Sequence, residues 1–71
     1  MNISNMNSVV PAAIERIITE KGMKKCVVAT RANLKPQELA DMLNGRKLIK
    51  AKDIVNISIA LDVPPNELFN Q

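Results

Sequence analysis

Seventy-one residues, 46% hydrophobic and 24% charged, can close one globular core but not a second domain or a deep catalytic cleft. A single cysteine and the absence of histidine exclude an internal disulfide and an ordinary zinc site, so no metal or cofactor is expected and the compartment should be reducing. The formal charge of +3, with a pI near 9.4, suits a polyanionic partner without requiring one.

In chain order, residues 1–8, rich in Asn and Ser, read as a flexible N-terminal arm without fixed structure, followed by a domain over residues 9–71. Helix 1 is expected to begin near Val9 to Pro11, where Ser8 can cap it and proline is tolerated because first-turn N–H groups lack partners. Val10, Ile14, Ile17 and Ile18 fall on one face. Glu15, Arg16, Thr19 and Glu20 take the wet side, and Gly22 can adopt the left-handed turn that closes the helix.

Helix 2 is expected from about Lys24 or Lys25 to Ala32, burying Val28, Ala29 and Ala32, with Cys26 a half-buried small hydrophobe. Asn33 should end it, since asparagine tolerates a left-handed turn position better than any residue but glycine. Leu34 re-enters the core, Lys35 sits at the cap and Pro36 opens helix 3, which runs to Leu43 with Leu39, Met42 and Leu43 inward. Gln37, Glu38, Asp41 and Asn44 then point away from that stripe. Asn44-Gly45 is the stop, and Arg46, Lys47, Leu48, Ile49 and Lys50 form a basic loop.

Helix 4 is expected over Ala51 to Leu61, burying Ile54, Ile57 and Leu61 with help from Val55, Ala60 and Ile59. The run Val63-Pro64-Pro65 breaks it, and a last turn starting at Pro65 brings Leu68 and Phe69 to the core, with Val63 stapled against Leu68. No segment keeps the strand period. The expected fold class is all-α, a bundle of five short helices with a radius of gyration of roughly 11 Å.

No apolar run approaches the roughly 20 residues that cross a bilayer, and MNISNMNS lacks the regions of a signal peptide, so a cytoplasmic protein away from membranes is expected. Catalysis is disfavoured. There is no histidine, no tyrosine, no glycine-rich phosphate loop and no nucleophile beside a base. RNA and single strands are disfavoured too, because such surfaces stack bases on aromatic rings and Phe69 is the lone aromatic. Charge is unevenly placed: Lys24, Lys25, Arg31, Lys35, Arg46, Lys47, Lys50 and Lys52 face only Glu38 and Asp41 in the stretch they bound.

The spacing Val28-Ala29, Ala32-Asn33-Leu34, Leu39 and Met42, the Asn44-Gly45-Arg46 after helix 3, and the closing Ile57, Ala60-Leu61-Asp62-Val63 and Glu67-Leu68-Phe69 resemble the Cro/CI-type helix-turn-helix domains of phage repressors and bacterial regulators. Ala29 (a small residue where two helices nearly touch), Asn33 (the turn) and Leu39 (the apolar anchor) carry the pattern, over residues 24–43. Lys25 and Asn33 stand where family members often have glutamine and glycine. The resemblance covers residues 12–69 and implies a lambda-repressor-like DNA-binding domain that binds operator DNA as a two-fold symmetric, weak homodimer.

In that reading helix 3, about 10 to 12 Å across, enters the major groove of double-stranded DNA, about 12 Å wide. Gln37 is the leading base reader, matched to adenine N6 and N7, and Glu38 and Asp41 are base-reading candidates able to accept from cytosine N4. Lys25, Lys35, Arg46 and Lys47 are the phosphate candidates, with Asn44 a hydrogen-bonding partner; they position the protein without reading sequence. A competing reading is a protein-interaction module, antitoxin-like or anti-regulator, whose acidic helix 3 contacts a protein partner.

Overall fold

The apolar face of Val10, Ile14, Ile17 and Ile18 is buried in the computed structural model, which describes the backbone of residues 3–69 and the side chains of residues 9–69. Helix α1 spans Ile3–Lys21, α2 Lys25–Arg31, α3 Pro36–Leu43 and α4 Ala51–Leu61, and a 3-10 helix over Pro65–Phe69 follows. The architecture is all-α among the described residues, with four α-helices rather than five. Pro64 and Pro65 have no N–H to give, and a five-residue segment cannot sustain α-helical i→i−4 bonding, so the tighter 3-10 turn forms instead.

α1 starts upstream of its expected origin. Its backbone is helical from Ile3, so residues 3–8, expected as an arm, continue the helix, while Met1 and Asn2 lie outside the described residues. Asn and Ser are poorer helix formers than Leu by only a few tenths of a kcal/mol each. Pro11 therefore stands inside the helix and not in its first turn, withholding one N–H from the ladder.

The core gathers Ile14, Ile17, Val28, Ala29, Leu39, Met42, Ile57, Leu61 and Leu68, with Leu34, Ile49 and Val63 packed around it. α1 rests on α3 and the 3-10 helix, α2 on α3 and α4, and α4 on the 3-10 helix. The radius of gyration is 10.8 Å. Three expected core placements fail for one geometric reason. Cys26 lies two residues before Val28, and Val55 and Ile59 two residues either side of Ile57, which is about 200° round an α-helix. Cys26 is exposed, and Val55 and Ile59 are 47% and 70% exposed. Phe69, expected in the core, is 41% exposed because its neighbour Leu68 takes the interior site and successive side chains of a 3-10 helix diverge by about 120°.

All four helices end in the same way. Gly22, Asn33, Gly45 and Asp62 adopt φ of 65°, 64°, 80° and 59°. The following N–H then reaches back five residues, from Met23 to Ile18 at 3.0 Å, Leu34 to Ala29 at 2.8 Å, Arg46 to Asp41 at 2.8 Å and Val63 to Ser58 at 3.0 Å. These bonds satisfy carbonyls that a helix end would otherwise leave open. Asp62 thus stops α4 before the prolines are reached.

Candidate nucleic-acid interface

α3 is eight residues long, too short to hold its shape in water alone. Leu39 and Met42 fix it to the core, while Pro36 supplies the preset φ of a first helical residue. With that stripe inward, Gln37 is exposed and Glu38, Ala40 and Asp41 are half-buried along the outer flank. Asn33 turns the chain between α2 and α3, and Ala29 beneath it is fully buried, where a larger side chain would part the helices. The packing trio Ala29, Asn33 and Leu39 thus occupies the interior, the turn and the anchor of one helix-turn-helix.

The start of α3 carries a device absent from the usual cap list. Lysine has no side-chain acceptor, so Lys35 cannot cap through its own ammonium; its backbone N–H instead donates to Glu38 Oε1 at 3.0 Å. That is the returning half of a capping box. α4 repeats it, with Lys50 N–H donating to Asp53 Oδ2 at 3.1 Å, and Asp53 is 7% exposed. Neither carboxylate was expected to have this role. The signal was the spacing Lys-x-x-acid in KPQE and KAKD, hidden because capping residues are sought among Ser, Thr, Asp and Asn.

Glu38 has a second partner. Its Oε2 accepts from Lys47 Nζ at 2.8 Å, drawing the loop after α3 across the outer flank. The Lys47 bond first, and the Lys35 N–H second, hold the Glu38 carboxyl below the usual range, and the same pairing pushes the Lys47 ammonium up. Both oxygens of Glu38 are therefore engaged within the protein.

Gln37 donates from Nε2 to Asp41 Oδ1 at 3.0 Å, an i,i+4 bond of a type that stabilises isolated helices by about 0.2 to 0.5 kcal/mol. The Asp41 carbonyl also accepts from Arg46 N at 2.8 Å and Lys47 N at 3.2 Å, which fixes the direction in which the basic loop leaves. Among the phosphate candidates, Lys35, Asn44, Arg46 and Lys47 are exposed around the two ends of α3. Lys25 is tied instead to α1, its Nζ 2.8 Å from Glu15 Oε1. Lys35 and Arg46 make no ion pair among the described residues. Lys50 and Lys52, part of the basic cluster but not among the phosphate candidates, line a cleft of about 360 Å³ with Lys47 and Asn33, beside the turn after α2.

A short buried-stripe helix, a left-handed turn and a second helix with an open polar flank define a helix-turn-helix domain. Two solved structures share the fold. The restriction-modification controller protein C.AhdI from Aeromonas hydrophila superposes with a TM-score of 0.83 at 21% identity, over 93% of this chain and 98% of that one. The clp gene regulator ClgR from C. glutamicum does so with a TM-score of 0.83 at 19% identity, over 89% of this chain and 82% of that one. No protein-family model matches the sequence, and no curated protein matches it significantly. Among the described residues, no helix is long and apolar enough to cross a membrane.

Proposed function

We propose that the protein is a sequence-specific regulator of transcription, a small repressor that reads the major groove of double-stranded operator DNA with α3. The observation that carries this reading is the outward flank of α3, with Gln37 exposed and cationic side chains at both ends, Lys35 at its start and Arg46 and Lys47 after its close. The likeness of fold to two regulators supports it. Gln37 offers an amide to a base edge, while Lys35, Arg46 and Lys47 displace counterions along the strands. One reading helix covers few base pairs, so the active form is a two-fold homodimer spanning half-sites about one helical turn apart. Leu48, Val55 and Ile59 leave apolar surface for such pairing, at 68%, 47% and 70% exposure, and the dimer is weak until DNA brings two copies together.

The reading is tested by fluorescence anisotropy with labelled duplexes. Arg46→Ala weakens binding to all sequences alike and reduces the salt slope of the dimer by about 2, as loss of one phosphate contact per protomer requires. Parent-like binding by this variant reassigns the surface. The carboxylates of Glu38 and Asp41 favour the second reading, in which this flank meets a protein. It gains ground if the parent shifts no duplex at low salt.

A further inference from the structure

We propose that Asp41 does not read a base itself but acts as the positioning residue that sets which way the Gln37 amide faces. This rests on the DNA-reading role proposed for α3. A carboxylate is acceptor-only, so the amide end of Gln37 that meets Asp41 Oδ1 at 3.0 Å must be its N–H₂. Turning the amide over would set Oε1 against the carboxylate, oxygen to oxygen. One orientation is therefore favoured, modestly on the exposed helix and more once a docked groove excludes water.

The base Asp41 supplies is itself steady. It lies between the buried anchors Leu39 and Met42, and its carbonyl is held by the N–H groups of Arg46 and Lys47. Glu38, the other carboxylate of the flank, is occupied by Lys35 and Lys47 and cannot perform the same task. With one N–H spent on Asp41, Gln37 keeps one donor and one acceptor. Adenine presents the complement, N7 as acceptor and N6–H₂ as donor, whereas guanine presents two acceptors, N7 and O6. The locked amide thus favours adenine and rejects guanine, and an amide free to turn discriminates less. Asp41 also brings a negative charge towards phosphates, which opposes binding to every sequence equally.

The experiment selects bound fragments from a pool of random duplexes with the parent, Gln37→Ala, Asp41→Ala and Asp41→Asn, each checked by thermal melting. The parent is expected to enrich adenine at one position of each half-site, and Gln37→Ala to lose that preference. Asp41→Ala should lose about tenfold of the adenine-over-guanine preference at the same base pair, within the roughly 5- to 150-fold that a bidentate contact provides. Its affinity for an unselected duplex should rise. Asparagine offers a donor as well as an acceptor and no longer forbids the turned amide, so Asp41→Asn should lose the preference as Asp41→Ala does. An unfolding variant cannot mimic this pattern, because it would bind every duplex more weakly. An unchanged preference in Asp41→Ala, or a loss at a different base pair, overturns the proposal while leaving DNA reading by α3 intact. Failure of the parent itself to enrich any motif removes the reading on which the proposal stands.

Discussion

Replacing Gly45 by alanine isolates the backbone geometry that ends α3 and launches the basic loop. Gly45 holds φ at 80°, and a methyl group built there meets nothing within 4 Å, so the cost is conformational and not steric. An L-residue in that region pays about 1 to 2 kcal/mol, partly offset by the smaller entropy of the unfolded alanine chain, about 0.4 to 1 kcal/mol. A net loss of about 1 kcal/mol follows, which in a domain of this size lowers the melting temperature by roughly 4 to 8 °C. Gly22, at φ 65° with the same open space, should show the same loss and serves as an internal control. D-alanine at position 45, introduced by chemical synthesis, is at home at positive φ and should melt at or above the parent. Circular dichroism melts of the four proteins measure this directly. The reasoning fails if L-alanine melts with the parent, or if D-alanine loses as much as L-alanine does.

Three further outcomes are expected. Leu39→Ala, at a fully buried position that anchors α3, should cost about 2 to 5 kcal/mol in denaturant unfolding, and a loss under 1 kcal/mol would mean that α3 is held otherwise. Asp53→Ala leaves the Lys50 N–H without its acceptor at a half-buried site and should cost about 1 kcal/mol, whereas Asp53→Asn, which retains an acceptor, should cost less. The Glu38 carboxyl is lowered in the folded protein, so its contribution is present above the ordinary Glu range and fades as pH falls through the depressed value. The Lys47 ammonium is raised, so its contribution is present below the ordinary Lys range and fades as pH climbs through the raised value. The link therefore operates across neutral pH. An NMR titration should find the Glu38 midpoint below about 4.3 and moving up in Lys47→Ala; an unmoved midpoint would mean that the pair does not form in solution.

The helices α2, α3 and α4 were readable from apolar spacing and from residues whose conformational limits act locally, namely Asn33, Pro36 and Gly45. The start of α1 was not, because Pro11 is compatible both with a first turn and, at some cost, with an interior one, and nothing nearby in the sequence decides between them. The extra inward assignments of Val55, Ile59 and Phe69 treated hydrophobicity as direction, although position round the helix overrides it. At the candidate interface, the outward direction of Gln37, Glu38 and Asp41 followed from the same spacing. The pairing of Glu38 with Lys35 and Lys47, and of Gln37 with Asp41, did not. Both depend on where the loop after α3 returns or on which rotamers two neighbouring side chains share, and composition carries neither. Asp53 shows the same limit, a carboxylate buried because a backbone N–H awaits it.

The central claim, that α3 docks on duplex DNA between cationic side chains, is tested most directly by the salt dependence of binding to duplex DNA. Lys25, Lys35, Arg46 and Lys47 would give a dimer about eight phosphate contacts, a slope of log affinity against log salt near −7, and a loss of about 10⁴-fold between 50 and 200 mM. If Lys25 and Lys47 stay with Glu15 and Glu38, about four contacts remain and the loss falls to about 10²-fold. A measured slope between about −3.5 and −7 is the predicted result. A slope near zero, or no binding to any duplex at low salt, would contradict the account.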